Sequence, residues 1–299
     1  MRTKILLLTV LLVTFFNSHA QRWKHYRWET IYGAGIANCL SDLGGADTYG
    51  RNGLQDYDWR STRPSLSVGM RFRQTQQISH KLNFTTGIIA ADDKLTKEKY
   101  RSLRNLHFRS PILELGYNFE FYLKKEKRGH RFKLRGVRGL KNLGLYPYGF
   151  FGISTFFFAP QANVGGKWRW LKPLTTEGQG ITATRNSYSL VQLSVPLGVG
   201  LKYSIDRRWL ISIEYGLRKT FTDYLDDVSK TYPDKNLLLT QAKQGSISAL
   251  ASDPTEGTWL GAQTNEQRGD PNNNDSYMFL IIAANYKLKT NRSGFPKWR

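Results

Sequence analysis

The sequence predicts an all-β fold, an eight-stranded antiparallel transmembrane β-barrel of the outer membrane. Three observations predict it: an export signal at the start, period-two alternation in five of eight strand-like segments, and segments longer than the strands of soluble sheets. The chain has 299 residues, with 44 Lys+Arg against 23 Asp+Glu, a net charge of +21, and one cysteine. A lone Cys39 excludes an intramolecular disulfide framework and a cysteine-based zinc site.

Residues 1–20 carry Arg2 and Lys4, an apolar run from Ile5 to Phe16, and small residues at Ser18 and Ala20. That order is the pattern of a cleaved secretory signal. The apolar run is too short for a membrane helix, which needs about 20 residues. Cleavage after Ala20 leaves residues 21–299 as a single barrel domain. An exported protein does not meet the genome, so the basic charge does not point to nucleic acid.

Alternation then places the strands in order. Leu66, Val68, Met70 and Phe72 alternate with Ser65, Ser67, Gly69, Arg71 and Arg73; Leu82, Phe84, Thr86 and Ile88 alternate with Lys81, Asn83, Thr85 and Gly87. Leu113 to Phe121, Val191 to Tyr203 and Trp209 to Leu217 repeat the pattern. Trp28–Asn38, Tyr146–Phe158 and Tyr277–Leu288 read as strands of less defined facing. Such lengths suit tilted membrane strands, and an even count lets an antiparallel barrel close without an edge. Trp28, Tyr203, Trp209 and Tyr286 near strand ends suit aromatic girdles. A soluble sandwich would also alternate, but with shorter strands.

The connections alternate in length. Gln74–Gln77 and Ile205–Arg208 are short, whereas Cys39–Thr62, Ala91–Leu106, Ala159–Asn186 and Lys219–Asp275 are long. Short turns belong in the periplasm with both termini. The exception is the basic loop 124–145, which is long and falls on that side. The periplasmic segments sum to +16 and the external loops to -1. Solubility alone would need no such sidedness.

The inward-facing set contains Glu29, Arg71, Lys81, Glu114, Glu120, Lys202, Glu214 and Arg218. Eight strands enclose only enough room for their own side chains, so these charges are expected to pair into a plug and not to line a pore. His107 lies three residues before Ser110, a spacing that by itself establishes no catalytic set. Asp270 to Asp275 fails the calcium-loop pattern, having Asp275 at the glycine position and Ile281 at the glutamate position. Thr176 to Gly180 lacks the Lys-Ser/Thr of a phosphate loop and reads as a flexible glycine loop.

The segment Lys124–Lys141 holds nine Lys/Arg and one acid. Lys124, Lys125, Lys127, Arg128, Arg131, Lys133, Arg135, Arg138 and Lys141 are interleaved with Phe132 and Leu134. Charges alone would contact anionic lipid at about 1 kcal/mol each. Apolar residues among them suit a docking surface, because interfaces need an apolar centre as well as charge.

Four blocks resemble the PorG family of type IX secretion systems: Arg104 to Leu115, Lys125 to Arg131, Thr176 to Gly180, and Ile213 to Val228. The similarity runs from about Gln21 to Leu288. The resemblance implies an integral barrel that anchors or positions the periplasmic ring of the PorK lipoprotein and PorN, in contact with outer-membrane lipid. It implies no catalytic residue and no cofactor. The tail Lys289–Arg299 departs from the terminal aromatic usual in such barrels. The expectation is therefore a non-enzymatic secretion subunit, with a lipid-A-modifying barrel enzyme or a structural or adhesive barrel as alternatives.

Overall fold

The computed structural model describes residues 22–43, 59–126, 144–206, 208–291 and 293–297. Residues 1–20, the expected signal, lie outside them. Long alternating runs give long strands: β1 (Trp28–Leu40), β2 (Arg63–Arg73), β3 (Ile78–Asp92), β4 (His107–Tyr122) and β5 (Leu145–Phe158). A short hairpin, β6 (Gln161–Val164) and β7 (Lys167–Trp170), follows. Then come β8 (Val191–Ser204), β9 (Trp209–Thr220) and β10 (Ser276–Thr290), with the two-residue β11 (Pro296–Lys297) against the end of β10. β1 to β5 and β8 to β10 pair in sequence order, every pair antiparallel, and β10 returns to β1. Eight strands thus close into one barrel, so the ring has no open edge.

Closure sorts each strand by its pleat. Leu66, Leu115, Leu197 and Val199 face outward and are 59, 55, 63 and 63% exposed. Contiguous apolar exposure on this scale would aggregate a soluble protein and is what a hydrocarbon layer covers. At the short-turn end, aromatic pairs ring the wall: Trp28 and Phe72 at 4.8 Å, Phe119 and Phe151 at 5.4 Å, Trp209 and Tyr286 at 4.8 Å between centroids. Inside, glycines make room for large rings. A Cβ on Gly200 would stand 2.3 Å from Tyr148 Cζ, and one on Gly198 2.5 Å from Phe150 Cζ.

The long connections are structured where the sequence predicted plain loops. Gly165 and Gly166, at φ 60° and 79°, turn the hairpin β6–β7, a conformation that glycine adopts without strain. Helix α1 (Lys99–Arg104) starts on the Glu98 carboxylate, which accepts from Arg101 N, and ends at left-handed Asn105. Asp234 likewise caps α2 (Lys235–Gln241), and α3 (Gly245–Ser252) packs beside it. Phe108, Phe156, Phe158, Tyr188, Leu225 and Val228 are buried in one apolar cluster that joins barrel wall to loops. The described parts of the long loops therefore fold into a cap over one end.

Candidate functional site

The barrel interior gathers the inward charges around one guanidinium. Arg71 Nη1 lies 2.9 Å from Glu29 Oε2, Nε 2.6 Å from Glu120 Oε2, and Nη2 3.2 Å from Glu214 Oε1. It also donates to Asn285 Oδ1 at 2.9 Å. Lys202 lies 2.8 Å from Glu29, and Lys81 pairs with Glu214 and stands 3.7 Å from Glu120. Tyr122 donates to Glu120 at 2.9 Å and Tyr148 to Glu214 at 2.5 Å. Nearer the cap, Arg218 Nε lies 3.1 Å from Glu114, whose other partner is the Tyr277 hydroxyl at 2.7 Å. Six strands supply these eight ionisable groups and bring them into two clusters. Arg71 alone satisfies three carboxylates, which its rigid fork allows and a lysine would not. This filled interior is a plug, held together because each charge would be costly to leave without a partner.

Sequence reasoning missed three members of the network. Arg73 bridges Glu29, at 3.1 Å, and Glu126, while Lys287 also pairs with Glu126. Arg73 shares the parity of Arg71 and was findable. Lys287 was not, because Met278 to Ala284 is apolar on both faces of β10 and hides the alternation. Glu126 stands beyond β4 in the basic segment and turns back into the barrel mouth. Burial would raise its pKa, but Arg73 and Lys287 outweigh burial and hold it down at about 2.

Glu126 therefore ties the root of the basic loop to the plug. Lys124 and Lys125 beside it are exposed. Lys127, Arg128, Arg131, Phe132, Lys133, Leu134, Arg135, Arg138 and Lys141 lie outside the described residues.

The opposite end is closed by the cap, where two of the sequence blocks meet. Thr176 donates to Asp227 at 2.5 Å, and Glu177 accepts from Ser229 N at 3.0 Å and pairs with Arg268 at 3.0 Å. Residues Thr176, Glu177 and Gln179 are buried, which corrects the flexible-loop expectation. The glycines at 178 and 180, φ 74° and 75°, serve a tight buried turn. Arg104 crosses the cap, bonding Asp93 at 2.8 Å, Arg268 O at 2.7 Å and Asp42 O at 2.8 Å. Asp226 accepts from Leu43 N and Val228 N, and Asp275 from Leu225 N.

Five carboxyls of this cap are shifted upward. Burial, then Asp226 nearby, pushes Asp42 up to about 8; burial pushes Asp223 to about 8, Asp226 to about 6 and Asp227 to about 7. Asp275 is raised well above the ordinary range by burial and by Asp226 and Asp223. No group of His, Cys, Asp or Glu among the described residues is arranged to hold a metal ion. Asp270 instead accepts from Asn272 N and the Asn273 amide within its own turn. His107 and Ser110 lie on opposite faces of β4. His107 Nε2 accepts from Asn163 N at 3.0 Å, whereas buried Ser110 accepts from Ala159 N at 2.9 Å.

Three solved structures share the barrel fold. Neisserial surface protein A has 8% identity and a TM-score of 0.39, covering 87% of this chain and 97% of its own. The attachment invasion locus protein Ail of Yersinia pestis has 8% identity and a TM-score of 0.36, over 88% and 99%. The outer membrane protein OprG of Pseudomonas aeruginosa has 10% identity and a TM-score of 0.36, over 89% and 98%. No curated protein matches the sequence. The model of a family described as a domain of unknown function, DUF6089, matches residues 29–248, and the chain belongs to that family.

Proposed function

We propose that the chain is an integral outer-membrane barrel without catalytic activity that docks the periplasmic ring of a secretion machine. The outward apolar wall and its aromatic ring support the membrane setting, and the secretory signal supports export. The single observation that carries docking is the fixed root of the basic loop. Glu126, held by Arg73 and Lys287, anchors the start of Lys124–Lys141 to a rigid plug. A docking loop rooted in a rigid scaffold transmits a load without deforming the barrel.

By its resemblance to the PorG family, the partner of this reading is the ring of PorK and PorN in a type IX system. The termini, short turns and basic loop face the periplasm, and the cap faces outward. Each exposed charge pair contributes about 0–1 kcal/mol, so single Lys→Ala changes in the loop leave docking intact. Replacing Arg128, Arg131, Arg135 and Arg138 together by Ser is expected to release the ring and stop secretion while the barrel still inserts. The check is co-purification of ring proteins beside a secretion assay, with heat-modifiable migration as the insertion control. An intact complex and normal secretion in the fourfold variant would leave lipid contact as the better account of the loop.

A further inference from the structure

The outer wall of β1, β9 and β10 carries two cavities in line, one apolar and one polar. The lower is a groove of about 320 Å³ lined by Ile36, Trp59, Tyr215, Met278 and Leu280. The upper, about 780 Å³, is lined among others by Tyr100, Arg101, Lys219, Trp259, Asn273 and Asn274. Strand register stacks them. Ile36 pairs with Leu280 and Leu280 with Tyr215 at the groove; four residues further along, Leu40 pairs with Ser276 and Ser276 with Lys219 at the polar cavity. All of these residues share the outward parity of the membrane-facing wall. The groove is thus continuous with the apolar belt, and the polar cavity opens directly above it.

We infer that this stripe binds one phosphorylated glycolipid of the surrounding leaflet, with an acyl chain in the groove and the phosphorylated sugar in the cavity. The inference rests on the membrane reading above. Continuity with the belt selects a lipid chain for the groove, because only hydrocarbon covers that face in a bilayer. The cavity selects the head. Arg101 and Lys219 supply positive charge for phosphate, Lys219 also donating to Asn274 O, while Glu266 and Asp270 line the same cavity. Asn274 presents its amide to hydroxyls, the Asn273 amide being held by Asp270, and the Trp259 and Tyr100 rings offer flat apolar faces to a sugar. Trp259 is held in place, standing edge-on to Tyr232 at 6.4 Å. Tyr100 is 67% exposed. A head lacking sugar would leave the amide and the rings without use.

The test is native mass spectrometry of the full chain in mild detergent, titrated with hexa-acylated diphosphoryl lipid A or with dioleoyl phosphatidylglycerol. Wild type is expected to retain one lipid A, at least about tenfold more tightly than the glycerophospholipid. Filling the groove with Ile36→Trp, or replacing Arg101 and Lys219 together by Ser, is expected to lower lipid A retention about tenfold or more. Leu115→Trp on the opposite wall is expected to change nothing. Equal retention by the groove and cavity variants, or equal binding of phosphatidylglycerol, would overturn the site. Each variant is first checked for insertion into liposomes. Wild type that fails to insert refutes the membrane reading, whereas inserted protein with unchanged lipid retention refutes this site alone.

Discussion

At Arg71, one guanidinium is wedged among Glu29, Glu120 and Glu214 with no exposure. Removing it leaves three carboxylates facing one another in a closed interior. Arg71→Met should therefore cost about 3–5 kcal/mol, the usual loss when one partner of a buried ion pair is removed. Arg71→Lys keeps the charge but cannot fork, and should fall between the two. Urea unfolding of vesicle-inserted protein, followed by tryptophan fluorescence, measures both; an unchanged midpoint in Arg71→Met would show that the plug does not depend on this centre. The residues of this network were legible wherever alternation was clean, as at Arg71, Lys81, Glu114, Glu120, Lys202, Glu214 and Arg218. Parity alone assigned them inward, because a charge facing hydrocarbon is costly. Glu126 and Lys287 were not legible, since one lies past a strand end and the other in a strand apolar on both faces.

Among the elements, strands were far more legible than loops. Period two is a local signal, and β2, β3, β4, β8 and β9 begin or end within a few residues of their alternating runs. The cap follows another logic: Glu177 meets Arg268 and Thr176 meets Asp227 across long sequence separations, with no periodicity to announce them. Its buried carboxyls make it pH-sensitive. Asp42, Asp223, Asp226 and Asp227 have pKa values raised to about 8, 8, 6 and 7 from an ordinary 3.8, while Arg104 and Arg268 stay charged. The folded cap thus holds protons that the open loops release. Its stability is greatest below about pH 4 and falls as pH rises through about 6 to 8. Proteinase K should cut the segment 219–275 faster at about pH 9 than at about pH 5.5, after normalising to an unstructured peptide, while the barrel stays intact. Equal or slower cutting at the higher pH would contradict the charge state assigned to the cap.

The whole molecule is a barrel closed by its own contents: an ionic plug in the half near the turns, an apolar and hydrogen-bonded cap at the far end, and a lipid-ready wall between. Length, alternation and the export signal made this architecture readable from sequence, since lipid permits only closed β-structures or helices and no described helix is long and apolar enough to span. The account stands on the barrel residing folded in the membrane. The most direct measurement is gel migration of the outer-membrane fraction with and without boiling. The account predicts that the protein sediments with the outer membrane and runs faster unboiled than boiled, as a folded barrel that resists detergent. Recovery as a soluble periplasmic protein, with the same migration before and after boiling, would contradict it.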